Sequence, residues 1–599
     1  MCGIHVSLSP TSHAISSTLK QCLSNRGPDY LRQVQRCINH GSTSSFLTLT
    51  STVLALRGDH ITKQPLVHPT NQSVLCWNGE AWRIDGRRVQ GNDGEAIFVQ
   101  LSEATASVAS RDSVLSVFRS IEGPFAFVYY DNLSRSLYFG RDRLGRRSLM
   151  MKNTASGELI LCSIAESQDQ SWTEIEADGI YAIDLSSQVD ALPVPWKLSK
   201  YEWLIFDQPD FVSTTCVKIP GFVHEGRPPS NLLHQVSSIG WFNKSLPSSD
   251  FILTSSSPSV GALKQLLLES LRLRVLDVPQ PVSADVAVPS RIAVLFSGGL
   301  DCTVLARLIH DLLEPDQEID LINVAFENPR VVAQLEKESR GTAVDFYEAC
   351  PDRITGRKSF AELLNVCPGR GFRFVAVSCV HLAMITLLTP SQVNVPYFET
   401  LAHRSQVVSL IFPHNTEMDL SIAYALYFAA RGQGASDFAN TELEPSGLKY
   451  VTPARVLISG LGADELFGGY GRHAIAFSRL GYAGLMDELL LDVSRLSKRN
   501  LGRDDRVMAH WGKEVRFPYL DECLVRWAME TPAWEKCDFD HGEQLTGVEP
   551  GKRILRLLAL ELGLDRAAKE KKRAVCSSFR RRVGLLTSDR SNLAPGQQR

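Results

Sequence analysis

The sequence has no Cys-x-x-Cys pair, no excess of charge of either sign and no apolar run long enough to cross a bilayer. Its thirteen cysteines are an odd, scattered set, unlike a zinc site or the disulfide framework of a small secreted domain. With 63 basic and 66 acidic residues the formal charge is −3, so nothing electrostatic favours nucleic acid or an anionic membrane as a partner. The longest apolar stretch, Phe372 to Leu388, is interrupted by Arg373 and His381 and falls short of the roughly 20 residues that a span needs. The first residues lack the basic segment and apolar run of a signal peptide, which makes the expected location cytoplasmic. Small-molecule chemistry is the class these absences leave.

What is present exceeds one core: 599 residues, 44% of them apolar, suit two or three globular units. Residues 2–198 carry short apolar runs bounded by Gly, Asn, Asp and Ser, such as Phe125 to Tyr130 and Leu159 to Ile164, which predicts a strand-dominated first domain. A connector is expected over 199–259, where the Ser/Pro-rich stretch Pro247 to Ser259 lacks helical periodicity. In 260–586 helical spacing at Leu263, Leu266, Leu267 and Leu271 gives way to the β-branched run Ile292 to Phe296. A helical pattern at Leu300 to Leu313 and strand patterns at Ile319 to Phe326 and Val456 to Ser459 follow, the alternation of a parallel α/β sheet. Helical patterns dominate from Asp419 onward, and 587–599 reads as a polar, disordered tail.

Two groups of residues carry chemistry. Loss of Met1 would expose Cys2 beside a free α-amine, a base close enough to take the thiol proton without a histidine. Arg57 ends an apolar run, and Asn78-Gly79-Glu80 follows the apolar segment Val74 to Trp77. An Asn amide with an adjacent Gly N–H can stabilise an oxyanion. Arg can hold an α-carboxylate, and acids such as Glu80 and Asp93 an α-ammonium. In the second half, Ser297-Gly298-Gly299-Leu300-Asp301 joins a strand to a helix, so its N–H groups can cradle phosphates while Asp301 binds a metal; a Walker A lysine is absent. Ser459-Gly460-Leu461-Gly462-Ala463-Asp464 repeats the arrangement, with Asp464 as a second magnesium ligand.

The first third of the chain resembles class II, N-terminal-nucleophile glutamine amidotransferases, through Arg26-Gly27-Pro28-Asp29, Gln64-Pro65-Leu66, Asn78-Gly79-Glu80, Asn92-Asp93-Gly94-Glu95 and Gly140-Arg141-Asp142. That resemblance implies Cys2 as nucleophile, Asn78 and Gly79 as the oxyanion hole, and Arg57, Asn78, Glu80 and Asp93 as the glutamine site. Only Gly58 to Lys63 separate Arg57 from Gln64, fewer than the family usually has, which predicts a remodelled pocket. The second half is similar to asparagine synthetases through Asp505-Arg506, Glu514, Arg516, Pro518-Tyr519-Leu520-Asp521 and Lys552 with Leu555-Arg556. Asp352-Arg353-Ile354-Thr355-Gly356-Arg357, Arg503-Asp504-Asp505-Arg506 and Leu461 resemble more narrowly the divergent asparagine synthetase domain-containing proteins.

The resemblance implies an Ntn-type αββα sandwich followed by an α/β ATP-pyrophosphatase-type domain with a helical C-terminal part. It implies ATP and Mg2+ as cofactors, with ATP contacts from Leu295, Ser297, Gly298, Gly299, Asp301, Val324, Ser459 and Gly460. Magnesium falls to Asp301 and Asp464, and the charge on an adenylate to Lys572, with Lys569 and Lys571 as rivals. Glutamine and a carboxylate acceptor, aspartate first, are the expected partners. Leu461 stands where asparagine synthetases place a glutamate thought to manage a proton. Three readings follow: asparagine synthesis, an amide ligase acting on another carboxylate, or a non-catalytic regulator. The sequence sets neither an oligomeric state nor protein partners.

Overall fold

The computed structural model describes the chain outside residues 1, 12–13, 41–42, 106–110, 155–156, 187–196, 204–232, 237–238, 248–250, 281–289, 328–346, 378–396, 439–447, 499, 544–546 and 573–599. The tail expected at 587–599 and the second part of the apolar stretch after Val377 lie outside the described residues.

Strict alternation along Val74–Gly79 sets the first domain's layers. Val74 and Cys76 pack with Ile4, Val6 and Leu8, whereas Leu75 and Trp77 turn to the opposite face, because successive strand side chains point to opposite sides. Two six-stranded antiparallel sheets result. One runs in the order Trp172–Glu174, Met150–Asn153, Leu159–Cys162, Gly3–Ser9, Thr43–Val53, Tyr30–His40. The other runs Leu198–Glu202, Gly179–Asp184, Ser136–Arg141, Phe125–Asp131, Val74–Gly79, Leu66–Val67.

Helices Asp93–Ala104 and Arg111–Ser120 bury Ile97, Leu101, Val114 and Phe118 against the outer face of the second sheet. Helix Ser17–Arg26 covers the first with Leu19 and Leu23. This is the αββα sandwich. Its sheet runs past Leu198, since Leu198–Glu202 pairs with Gly179–Asp184 and Trp203 is buried in the same core.

Further along, Gly240–Asn243 pairs with Leu233–Val236, and Phe242 joins the second domain's core. Helix Pro258–Val275 starts inside the Ser/Pro-rich stretch, with proline in its first turn, where its missing N–H costs nothing. The second domain is built on a seven-stranded sheet, in the order Leu448–Val451, Gln433–Phe438, Phe372–Val377, Ile319–Val324, Ile292–Leu295, Val456–Ile458, Glu514–Arg516. The five strands from Phe372–Val377 to Glu514–Arg516 are parallel. The two at the other edge are antiparallel, an addition to the parallel sheet expected from the sequence. Gln433–Phe438, with Gly434 and Asp437 inside it, has little of the β-branched run that marks the central strands.

The domains meet through buried and half-buried ion pairs. Asp505 accepts from Arg26 Nη2 at 2.8 Å and from the Ser148 amide at 3.2 Å, and its other oxygen lies 3.7 Å from Arg147. Arg147 also reaches Glu514 at 3.3 Å, Arg506 donates to Glu174 at 2.7 Å, and Arg455 pairs with Asp29 at 2.7 Å. Arg146 joins Asp142 to Glu522, whose other neighbour is the Gly123 amide. Removing one partner of a buried pair strands the other charge, at a cost of about 3–5 kcal/mol. Asp505→Ala leaves Arg26 without its carboxylate and Arg147 with Glu514 alone, so it is expected to destabilise the protein by that amount in denaturant unfolding. A change below about 1 kcal/mol, the range of an exposed pair, would contradict this.

Candidate functional site

Two clusters of the predicted residues form, one in each domain. In the first, Cys2 is buried just before strand Gly3–Ser9, whose amides are held by Thr52 Oγ1 and Ser163 Oγ. Gln64 Nε2 lies 3.9 Å from Cys2 Sγ, and Gln64 Oε1 accepts from the Trp77 amide, which ties the thiol to the end of strand Val74–Gly79. Burial pushes the Cys2 thiol up, Asp93 and Glu514 push it the same way, and a Leu54 backbone hydrogen bond opposes them. Such a thiol is held neutral and needs a base at the moment of attack rather than a standing thiolate.

Asn78 is fully buried, and neither its Nδ2 nor its Oδ1 has a hydrogen-bond partner among the described residues. Gly79 is required by packing, since a Cβ there would sit 2.4 Å from the Pro124 carbonyl oxygen. Asp93 opens helix Asp93–Ala104 behind Asn92, which caps it by accepting from the Glu95 amide. Its carboxylate accepts from Trp77 Nε1 at 3.0 Å and the Ala81 amide at 2.8 Å. Arg57 donates to the carbonyls of Val89 and Gly91 and approaches Glu80 Oε2 at 3.6 Å through Nη1. The short segment after Arg57 lies against the same helix, with Thr62 Oγ1 donating to Glu95 at 3.1 Å. Thus Cys2, Arg57, Asn78, Gly79, Glu80 and Asp93 converge on one end of the sandwich.

In the second cluster, Leu295, Val324 and Ser459 lie at or just beyond the carboxyl ends of three adjacent parallel strands, the edge where open α/β sheets hold ligands. Gly298 has φ +80°, and a Cβ on it would meet the backbone of Thr355 and Gly356 at 2.5 Å. Its carbonyl accepts from Ser359 Oγ at 2.7 Å. Helix Pro351–Val366, with the Asp352–Arg357 motif at its start, is therefore the buttress of the Ser297–Asp301 turn. Arg353 serves it indirectly, donating to Asn323 Oδ1 at 2.7 Å, while Asn323 Nδ2 donates to the Phe296 carbonyl. The two glycine turns touch, since a Cβ on Gly460 would lie 3.0 Å from Asp301 Cβ.

Asp301 opens helix Leu300–His310, Asp464 sits in the first turn of Ala463–Phe467, and both carboxylates converge on Lys552 Nζ at 2.7 Å. Lys552 adopts a left-handed backbone, φ +54°, as it enters helix Arg553–Glu561. Burial lifts Asp301 despite Lys552, while against the same burial Lys552 and Lys572 hold Asp464 down. Lys572, rather than Lys569 or Lys571, reaches Asp464, and its ammonium lies 4.0 Å over the Tyr470 ring. Tyr470 OH in turn donates to Glu465, whose carboxyl burial raises. Leu461 is half-buried against the apolar core, and its amide donates to Ser459 Oγ.

Two carboxylates drawn to one cation suit a magnesium ion that takes its remaining ligands from phosphate and water. The described residues contain no denser group of metal-ligating side chains. Sequence reasoning gave Lys552, Glu514, Arg516 and Tyr470 no site role. Lys552, Glu514 and Arg516 carried only a motif signal, and their places follow from tertiary packing.

A thiol with an orphaned amide at the end of a sandwich, joined to twin glycine turns on a parallel sheet, defines the class of two-domain amidotransferase-synthetases. Residues 1–187 match the glutamine amidotransferase domain family, and residues 478–582 match the asparagine synthase family. The chain is 32% identical to asparagine synthetase domain-containing protein 1 of Mus musculus, over 98% of this chain and 97% of that protein. It is 32% identical to the Gallus gallus protein of the same name, over 98% of each. It is also 22% identical to the glutamine-hydrolysing asparagine synthetase of Gallus gallus, over 86% of this chain and 74% of that one. The chain belongs to the asparagine synthetase domain-containing protein family. Among solved structures, a glutamine phosphoribosylpyrophosphate amidotransferase from B. subtilis matches 57% of this chain and 71% of its own at 12% identity and a TM-score of 0.24, which carries no argument about the fold. Among the described residues no helix is long and apolar enough to cross a membrane.

The Gly298 cradle gives a direct test of the geometry. Gly298→Ala combines a left-handed backbone with a backbone collision and is expected to cost at least about 1–2 kcal/mol in thermal unfolding. Gly261→Ala, on an open helix face with nothing near its Cβ, is expected to stabilise the protein by up to about 1 kcal/mol. Equal effects would contradict the cradle.

Proposed function

We propose that the protein is a glutamine-dependent, ATP-dependent amide-forming enzyme of the asparagine synthetase type. The observation that carries this reading is the Asn78 side chain, buried with both polar atoms unpaired. A buried polar atom without a partner costs about 1–3 kcal/mol, and a bound amide group would satisfy both. Glu80 Oε2 is a second buried acceptor without a hydrogen bond among the described residues. A glutamine zwitterion fits the set: its α-carboxylate on Arg57, its α-ammonium on Glu80 with help from Asp93, and its side-chain amide at Asn78 and Gly79.

In this reading Cys2 Sγ attacks the glutamine amide carbon while the α-amine freed by loss of Met1 takes the thiol proton. Asn78 Nδ2 and the Gly79 N–H donate to the oxygen as it becomes negative, and the proton leaves with ammonia. Water then releases glutamate from the thioester. In the second domain the Ser297–Asp301 and Ser459–Gly460 turns bind ATP, with Leu295 and Val324 beside the nucleoside. A carboxylate attacks the α-phosphorus, pyrophosphate leaves, and ammonia displaces AMP. Magnesium on Asp301 and Asp464 would neutralise the pyrophosphate, and Lys572 the acyl phosphate. Aspartate is the first acceptor to test, and a soluble cytoplasmic setting suits these substrates.

Cys2→Ala removes only the nucleophile and is expected to abolish glutamate release from glutamine without lowering the unfolding temperature. Release at the wild-type rate would remove Cys2 from the mechanism.

The acceptor half is tested by pyrophosphate exchange into ATP. Asp301→Asn is expected to suppress exchange, because it removes a charge facing the cation. Leu461 offers no acid or base at a position where such help is worth about a hundred- to ten-thousandfold. The wild type is therefore expected to form asparagine from labelled aspartate slowly, with Leu461→Glu faster. Robust asparagine formation by the wild type would show that a glutamate at position 461 is not needed. Absence of exchange with every carboxylate would favour the non-catalytic reading of this half.

A further inference from the structure

The glutamine pocket ends on a residue of the other domain. Glu80, on the first domain, accepts from Arg516 Nη2 at 3.2 Å through Oε1, while Oε2 has no hydrogen bond among the described residues and faces Arg57 Nη1 at 3.6 Å. Arg516 is fully committed. Its Nε donates to Glu514 at 2.6 Å, its Nη1 to the Arg274 carbonyl at 2.6 Å, and its guanidinium lies 5.0 Å over the face of Trp82. The same indole carries Arg57 at 5.6 Å and Arg274 at 5.2 Å, so one buried ring sets the spacing of three guanidiniums. Main-chain contacts fix Arg516 equally well: it pairs with Ile458 in the parallel sheet, and its carbonyl accepts from the Ser459 amide at 3.0 Å.

We infer that Arg516 is a positioning residue of the glutaminase site, holding Glu80 by one oxygen so that the other is presented to the α-ammonium of glutamine. This rests on the glutaminase reading and adds the second domain to its binding site. Lysine cannot do the same work, because the role needs planar donors directed at Glu514, Glu80 and a carbonyl together. The charged groups facing Glu80 are Arg57, Arg516, Glu514 and Asp93. Burial raises the Glu80 carboxyl, Glu514 and Asp93 add to that, and Arg516 and Arg57 oppose it. Glu80 binds an ammonium only when ionised. Without Arg516 its pKa rises further, and the pH below which glutamine binding fails must move up.

The test is steady-state glutaminase kinetics of the full chain against pH. For Arg516→Gln the expected result is a glutamine KM raised about ten- to hundredfold, the worth of a charge-assisted hydrogen bond, with kcat little changed. The acid limb of kcat/KM is expected at higher pH. Arg516→Lys, which keeps the charge, is expected to return the limb toward its wild-type position while KM stays raised. A folded Arg516→Gln with unchanged KM and limb overturns the proposal, as does a loss confined to kcat. If Arg516→Gln does not fold, Arg516→Lys decides by KM alone, a wild-type value overturning the proposal. A wild type that releases no glutamate defeats the glutaminase reading instead. Calorimetric glutamine affinity then decides, with equal affinities for wild type and Arg516→Gln counting against the role of Arg516.

Discussion

Asp505 and Glu514 are carboxylates almost wholly removed from water, tolerable because guanidiniums close on them: Arg26 and Arg147 of the first domain on Asp505, and Arg147 together with Arg516 of the second on Glu514. Desolvating a charge costs several kcal/mol unless its partners are well placed, so this layer admits few relative positions of the two domains. Arginine supplies the cationic side throughout its centre, in Arg26, Arg147, Arg506 and Arg516. Its rigid fork can serve two acceptors in different directions, which a lysine ammonium on a flexible stem does less well.

Both clusters hang from this layer. Arg26 joins Asp505 to the carbonyl of Cys2 itself, at 3.4 Å. Arg516 joins Glu514 to Glu80, while its main chain meets the first residue of the second glycine turn. Three residues on, Tyr519 OH donates to the Asp301 carbonyl at 3.2 Å, on the first glycine turn. The segment from Glu514 to Glu522 therefore touches both sites and both domains, so a variant there is expected to disturb binding in one domain and stability in the other together.

The local parts of this architecture were legible in the sequence. Gly298, Gly79 and Asp301 announce themselves because a turn, a close approach or a helix N-terminus restricts which residue can stand there, and short apolar runs such as Val74 to Trp77 mark a strand-rich domain whose sandwich architecture the family resemblance implies. What sequence spacing does not carry is pairing at long range. Lys552 is 251 residues from Asp301, and Arg516 is 436 residues from Glu80. Trp82, the ring that spaces three arginines, reads as one more core aromatic. The Gln433–Phe438 strand has no signature in the sequence because short polar strands owe their form to the neighbour they pair with rather than to their own residues.

The claim that the second domain completes the glutamine pocket is tested most directly by a double-mutant cycle across the interface. Glutamine affinity is measured by calorimetry for wild type, Glu80→Gln, Arg516→Gln and the double variant. If Arg516 acts through Glu80, its loss costs far less once Glu80 is already neutral, and the two single effects do not add. Full additivity would contradict the account.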